Sequence, residues 1–121
     1  KFRFPGFMRG EQVQEVLAMG DVCIVPSVSE PFGISPLEAM QVGCPSIISH
    51  QSGCAEILQH AIKTDYWDID AMADAIYAIV KYPAMYKSLH ELGMAEVNNI
   101  KWADAGLKVR RIYDGVINHT L

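Results

Sequence analysis

Short apolar runs alternate with amphipathic segments along the sequence, and this alternation most restricts how the chain can fold. The predicted strand at residues 21–26 contains the continuous apolar run 22–25, of the kind expected in a strand buried on both faces of a parallel sheet. The segments between such runs repeat their apolar residues every three to four positions, which is the period of a helix with one buried face. The pattern predicts an α/β domain with a short parallel sheet flanked by helices, in three Rossmann-like layers.

The predicted elements cover almost the whole chain, which we interpret as one domain spanning residues 1–121. Strands are predicted at residues 2–4, 21–26, 45–49 and 62–67, giving three or four in the sheet, with helices at 11–19, 35–42 and 52–58. The remainder is predicted to form three helices, each with one apolar stripe. The first helix follows a cap at Asp68 or Asp70, and its stripe consists of Met72, Ala75, Ile76, Ile79 and Val80. The second begins near Pro83 and has the stripe Leu89, Leu92 and Val97, and the third covers residues 102–116.

Composition excludes several classes of protein. The net charge is −4 and Lys and Arg form no run, which argues against a nucleic-acid-binding protein. No apolar stretch approaches the ~20 residues of a membrane-spanning helix. The three cysteines lack a Cys-x-x-Cys pair, and the histidines have no metal-ligand spacing, so we predict no metal site and a reduced, cytoplasmic setting. The chain opens on Lys1 within a strand-like segment, which we interpret as the boundary of a fragment.

The loop after the second predicted strand carries the residues best suited to bind a ligand. In open α/β sheets, ligands bind at the carboxyl ends of the strands, where this loop is expected. Gly33 allows close approach of the backbone, and the amides of Gly33, Ile34 and Ser35 lead into a helix start that suits an anion. Glu30 and Glu38 bracket the loop, and carboxylates accept paired hydrogen bonds from the vicinal hydroxyls of sugars and ribose.

Each of these residues also has a purely structural interpretation. Ser35 and Glu38 have the spacing of a capping box, with Pro36 at the first helical position. Glu30 could be a solvated loop residue, and Gly33 could serve only a turn. The residue pattern alone therefore leaves both interpretations open.

The motif in its full length resembles a known family. Residues 26–40 read PSVSEPFGISPLEAM, and this string is similar to the Glu-x(7)-Glu motif of retaining glycosyltransferases with the GT-B fold, especially glycosyltransferase family 4 and glycogen synthases. Phe4-x-Gly6, Gly43-x-Pro45 and the segment 52–56 also resemble family positions, as does the last helix. The likeness extends over nearly the whole chain and implies the C-terminal half of a donor-binding domain.

The resemblance implies specific roles for the loop residues. Glu30 would be the catalytic-site carboxylate that contacts the donor sugar, and Glu38 would bind the ribose hydroxyls. Gly33 and Ile34 would offer amides to the sugar and the distal phosphate, with Phe32 and Ser35 completing the donor site. Such enzymes transfer a sugar from a nucleotide-diphosphate sugar with retention and without a metal or other cofactor.

The sequence also departs from the family pattern. Ser52 occupies the usual place of a glycine, and Asp65 to Asp68 replace a Gly-containing loop with a stretch similar to one in glycogen synthases, which implies a glucan acceptor. The family's phosphate-neutralising Arg and Lys and its acceptor domain lie upstream of the residues present. We therefore expect the 121 residues alone to be inactive. We also expect the helix at 102–116 to be left partly unpaired, which would favour a dimer.

Three other functions remain as alternatives. A non-catalytic nucleotide-sugar-binding or regulatory module would keep the fold without the chemistry, although both Glu30 and Glu38 are present. A response-regulator-like interaction domain would require an acidic cluster and a late Lys that are not recognisable. A non-hydrolysing nucleotide-sugar epimerase shares the fold but would require an acid/base pair that the sequence does not reveal.

Overall fold

The computed structural model describes residues 1–119 and contains a parallel sheet with helices on both faces. The strands are β1 (Cys23–Val25), β2 (Ser46–Ser49) and β3 (Ile62–Thr64), and they lie side by side in that order. Both pairings are parallel, so the carboxyl ends of all three strands meet at one edge. The predicted α/β class and the short parallel sheet are confirmed.

The helices follow the predicted order closely. They are α1 (Glu11–Ala18), α2 (Ser35–Gln41), a 3-10 helix (Gly53–Glu56), α3 (Ile69–Lys81), α4 (Pro83–Asn98) and α5 (Trp102–Ile117). Across residues 1–119, none of these helices is long and apolar enough to cross a membrane.

The central strand β2 joins the two halves of the core. Two consecutive residues of β2, Ile47 and Ile48, are both buried. Because side chains alternate along a strand, they point to opposite faces of the sheet. Ile48 packs in a cluster with Met40 and Leu58, whereas Ile47 packs in a second cluster that includes Ile79 of α3. Burial of these aliphatic side chains supplies the main free energy that holds the helices on the sheet.

Two helix ends are fixed by the residues that the sequence singled out. Gly43 ends α2 with a φ of 84°, a left-handed conformation that favours glycine, and its carbonyl accepts a 2.7 Å hydrogen bond from Nδ1 of His90. Asp68 caps α3 by accepting a 2.9 Å hydrogen bond from the amide of Ala71. The predicted cap of α3 is confirmed, with Asp68 rather than Asp70 as the capping residue.

Two strand predictions are wrong in part. Residues 2–4 form no strand, and Phe2 is 91% exposed, because no strand among the described residues pairs with this segment. The second predicted strand is present as β1, but Ile24 is 40% exposed, so β1 is not buried on both faces. It pairs only with β2 within the described part of the chain, and an edge strand has one less neighbour to cover it.

The helical stripes were predicted correctly in position but not in every side chain. Val80 and Leu92 were expected to face the core, but they are 63% and 49% exposed. In α4 the buried residues are Gly93 and Val97, four positions apart, and Leu92 lies one residue off that line. The apolar residues of α5 are largely exposed, as the sequence led us to expect.

Candidate functional site

The loop between β1 and α2 lies at the carboxyl edge of the sheet and is held there by main-chain hydrogen bonds. Glu30 forms an isolated parallel bridge with Ser52. The amide of Gly53 donates to the Glu30 carbonyl at 2.9 Å, and the amide of Cys54 donates to the Phe32 carbonyl at 2.8 Å. The segment after β2 therefore fixes the backbone that carries the first glutamate of the motif.

A pair of serine hydroxyls adds a second attachment between the same segments. Oγ of Ser49 lies 2.5 Å from the carbonyl oxygen of Ser27 and 2.9 Å from Oγ of Ser52. Because a carbonyl oxygen can only accept, the Ser49 hydroxyl donates to Ser27, and the Ser52 hydroxyl must donate to Ser49. Sequence reasoning missed this network: Ser52 stood out only as a departure from glycine, and its hydroxyl is what makes the contact.

Two glycines allow the loop to take its course. Gly33 has a φ of 83°, and a Cβ there would lie 2.9 Å from Cγ of Glu30. A Cβ on Gly53 would overlap the carbonyl oxygen of Pro31 and lie 2.7 Å from the carbonyl carbon. At Gly53 the obstructing atoms belong to the backbone, and at Gly33 the left-handed φ disfavours any residue with a Cβ, so both positions require glycine for the loop to keep this course.

The predicted capping box does not form. Ser35 is already the first residue of α2, Ile34 holds the cap position with helical dihedrals, and no side chain caps this helix. The amide of Glu38 donates to the carbonyl of Ile34 at 2.9 Å, as in a regular helix, so it has no need of a serine hydroxyl. The structural interpretation of Ser35 and Glu38 as a reciprocal cap is therefore wrong.

The carboxylate of Glu38 is consequently not used by the helix. It has no hydrogen-bond or ion-pair partner among residues 1–119, and Glu38 is half-buried. The amides of Gly33, Ile34 and Ser35 likewise find no acceptor within the described chain. Polar groups without a protein partner at the carboxyl edge of a sheet are available to a ligand.

A groove of about 890 Å³ opens beside Glu38. Phe32, Ile34 and Leu37 line it from the loop and from α2, together with residues of the α4–α5 turn and the start of α5. The structure thus brings Phe32, Ile34 and Glu38 together. Glu30 does not line this groove and instead packs against Gly33.

The contribution of α5 to this groove was not predicted. The groove is also lined by Lys101, Trp102, Asp104 and Lys108. Only the fold places α5 beside α2, because nothing in the local pattern of α5 distinguishes a groove wall from a surface helix.

The cysteine near the loop is not poised for covalent chemistry. Cys54 is fully buried, and burial raises the pKa of its thiol, with the nearby Glu30 acting in the same direction. A thiol that stays protonated at neutral pH is a poor nucleophile. No group of three or more His, Cys, Asp or Glu side chains in residues 1–119 is arranged to hold a metal ion.

Comparison with known sequences matches this chain to glycosyltransferases. The sequence model of the family described as glycosyl transferases group 1 matches residues 1–95. An uncharacterized glycosyltransferase of Methanocaldococcus jannaschii is 42% identical over 62 residues, which are 51% of this chain and 16% of that protein. The 2-deoxystreptamine N-acetyl-D-glucosaminyltransferase of Niallia circulans is 33% identical over 100 residues, which are 80% of this chain and 26% of that protein.

Comparison of the fold with solved structures also finds a similar protein. The solved structure of sucrose-phosphate synthase from Thermosynechococcus elongatus matches 97% of this chain and 30% of its own, with a TM-score of 0.81 and 28% sequence identity. This match confirms the predicted GT-B-type fold. The chain spans about a quarter or less of the length of the two curated relatives named above. Since the family match covers most of the sequence and the fold agrees with it, the chain belongs to the group 1 glycosyltransferases.

Proposed function

We propose that the chain forms part of the donor site of a retaining glycosyltransferase that uses a nucleoside diphosphate sugar. The observation that carries this proposal is the half-buried carboxylate of Glu38, which lines a groove of about 890 Å³ and has no partner within residues 1–119. A groove of this size suits a nucleotide-sized ligand. A carboxylate accepts two hydrogen bonds from vicinal hydroxyls, so we assign Glu38 to the ribose.

The neighbouring loop supplies the remaining donor contacts in this proposal. The amides of Gly33 and Ile34 donate to the sugar and the distal phosphate, with Ser35 beside them. Phe32 lines the same groove as Glu38. Glu30 takes the hydroxyls of the donor sugar, and the main-chain bonds from Gly53 and Cys54 keep its backbone in place.

The chemistry that this site would support is transfer with retention. Preorganised amide donors stabilise the charge that develops as the diphosphate leaves, and in our proposal no metal is required. The acceptor is bound by a further domain of the enzyme. A growing glucan as that acceptor stays a prediction from residues 65–68.

Nucleotide-sugar binding by the whole enzyme of which this chain forms part tests the proposal directly. Thermal unfolding is followed with UDP-glucose, ADP-glucose and GDP-glucose, for the native sequence and for Glu38→Ala. A donor present at 100 times its Kd stabilises the native state by about 2.7 kcal/mol, a readily measured shift. We expect one of the three donors to raise the Tm and Glu38→Ala to remove that response.

A matched control separates the loss of a ligand contact from a general change in charge. Asp74 is an exposed carboxylate of α3 outside the groove, so Asp74→Ala should respond to the donor as the native chain does. If no nucleotide sugar shifts the transition, or if Glu38→Ala responds like the control, Glu38 is not a donor ligand and the proposal is wrong.

A further inference from the structure

The turn after β3, residues 65–68, presents an exposed tryptophan at the carboxyl edge of the sheet, and we refer to it as the Trp67 turn. Trp67 is 60% exposed. The ring of Tyr66 stands nearly perpendicular to it, with 4.8 Å between the ring centroids and an interplanar angle of 87°. A perpendicular pair is a favourable aromatic contact, and it leaves at least one face of the Trp67 ring uncovered by Tyr66.

Hydrogen bonds hold the Trp67 turn in one position. Nε2 of Gln51 donates to Oδ1 of Asp65 at 2.8 Å, and the amide of Tyr66 donates to Oε1 of the same glutamine at 3.3 Å. The amide of Asp68 donates to the carbonyl of Asp65 at 3.0 Å and closes the turn. Because the backbone is already ordered, a ligand that binds to this turn loses little affinity to the ordering of the loop.

Gln51 also connects the Trp67 turn to the loop of Glu30. It precedes Ser52, which forms the parallel bridge with Glu30. Two consecutive residues therefore contact both the loop of the proposed donor site and the Trp67 turn. Trp67 itself does not line the groove beside Glu38, so a ligand bound to Trp67 would occupy a different place at the same edge of the sheet.

The charges around the Trp67 turn favour an uncharged ligand over an anionic one. Residues 64–80 contain four aspartates and no lysine or arginine, so a phosphate, a nucleic acid or an acidic membrane surface would be repelled. The bond from Gln51 uses one carboxylate oxygen of Asp65, and the other oxygen can accept a hydrogen bond from a hydroxyl. A stable protein partner requires about 800 Å² on each side, which is more than a single turn offers.

A neutral saccharide meets these requirements. One face of a pyranose ring carries C–H groups that pack on an aromatic ring, while its hydroxyls donate hydrogen bonds to carboxylates. We infer that Trp67 and Asp65 form a binding site for a neutral saccharide chain, separate from the groove beside Glu38. In the whole enzyme this site holds part of the acceptor glycan, an assignment that rests on the proposed function.

Oligosaccharide binding by the whole enzyme tests this inference. Calorimetric titrations in the absence of a donor use three neutral probes, maltoheptaose, cellohexaose and chitohexaose. We expect at least one of them to bind, and Trp67→Ala to raise its Kd roughly 10-fold, which corresponds to about 1.4 kcal/mol. Trp67→Phe should recover part of the affinity, because it restores a flat ring. Tyr77→Ala is the matched control, since Tyr77 is also 60% exposed but lies in α3, and it should leave the Kd unchanged.

A second variant keeps the tryptophan and removes the bonds that hold its turn. Gln51→Leu loses the hydrogen bonds to Asp65 and to the amide of Tyr66, so we expect it to weaken oligosaccharide binding as well. Tetramethylammonium tests whether the ring instead binds a cation, because aromatic rings also attract quaternary ammonium groups. If tetramethylammonium binds in a Trp67-dependent manner and no oligosaccharide does, the site takes a cation and the inference is wrong.

The outcomes separate this inference from the proposed function. If nucleotide sugars raise the Tm in a Glu38-dependent manner but Trp67→Ala binds every oligosaccharide with the native Kd, the donor site stands and the saccharide site is refuted. If no oligosaccharide binds the native enzyme, the saccharide site is likewise refuted. If oligosaccharide binding depends on Trp67 but no nucleotide sugar shifts the Tm, the saccharide site stands, and the donor site and the acceptor assignment are wrong.

Discussion

The closest backbone approach in the candidate site is at Gly53, and replacing this glycine by alanine tests how the Glu30 loop is held. Gly53 has no unusual φ, so the effect of Gly53→Ala comes from space alone. The new Cβ would overlap the Pro31 carbonyl oxygen and lie 3.1 Å from Cα of Phe32. Because the obstructing atoms are backbone, they cannot rotate away and the two segments must separate.

The expected loss follows from the bonds that would break. Separation lengthens two hydrogen bonds, from the Gly53 amide to Glu30 and from the Cys54 amide to Phe32, which are now 2.9 and 2.8 Å long. Each contributes about 1 kcal/mol net, and a partner left buried without water raises the penalty, so we expect a loss of roughly 2–4 kcal/mol. For a domain of this size that lowers the Tm by about 6–15 °C.

Thermal unfolding followed by circular dichroism measures this loss, and a second glycine provides the control. A Cβ on Gly106 in α5 would meet nothing within 4 Å, so Gly106→Ala should be neutral or stabilise by up to about 1 kcal/mol. A Tm for Gly53→Ala within about 2 °C of the native value would refute the reasoning, since the loops would then separate without penalty.

Donor binding distinguishes a local effect from general instability. Gly43→Ala should also destabilise, because Gly43 has a φ of 84° and a Cβ there would overlap the ring of His90. This residue lies at the far end of α2 from the loop. At a temperature where both variants are folded, we expect Gly53→Ala to bind the nucleotide sugar more weakly than Gly43→Ala. Equal affinities would show that the Glu30 loop has no part in binding.

Two further predictions concern the helices that support the site. Burial alone would raise the pKa of Glu96, but the amides of Gln59 and His60 and the His60 ring outweigh burial and hold that pKa below its ordinary value of 4.5. The stability that these contacts add is present above pH 4.5 and is lost as the pH falls through the lowered pKa. Urea unfolding at pH 7 and pH 3.5 should therefore show a smaller acid-induced loss of stability in Glu96→Gln than in the native chain. An equal loss in both proteins would contradict this assignment. Asp68→Ala removes the α3 cap and should lower the free energy of unfolding by about 1 kcal/mol in the same assay. Asp68→Asn should retain most of that stability, because its side-chain oxygen can still accept the hydrogen bond. Identical losses in the two variants would exclude capping by the side-chain oxygen.

The sequence predicted those parts of the fold where several local features agree. Strand β2 was predictable because Ile47 and Ile48 lie between a proline and a turn, and α3 because its apolar stripe follows a capping aspartate. The segment 2–4 contains two phenylalanines, but a strand forms only when it pairs with a neighbour, and this segment pairs with no strand of the described chain. Exposure of Ile24 has the same origin, since edge position is a property of the sheet and not of the residue.

The sequence suggested residues for the candidate site but could not predict how they are arranged. Glu30, Gly33 and Glu38 were identified from the motif, yet only the dihedrals of Ile34 reveal that the helix starts without a capping box. The groove wall from α5 could not be predicted, because Trp102 is about 60 positions or more from the loop and α2 residues that share the groove and belongs to a stripe that looks like any amphipathic helix.

The attachment of the Glu30 loop through main-chain groups has a consequence for how this enzyme family could diversify. The bonds from Gly53 and Cys54 involve only amides and carbonyls, so they place no demand on the side chains of Ser29 and Pro31 that flank Glu30. Mutations at these two exposed positions can therefore accumulate with little loss of stability. The side chains beside Glu30 can thus change while the path of the loop, set by the backbone of the neighbouring segment, stays the same.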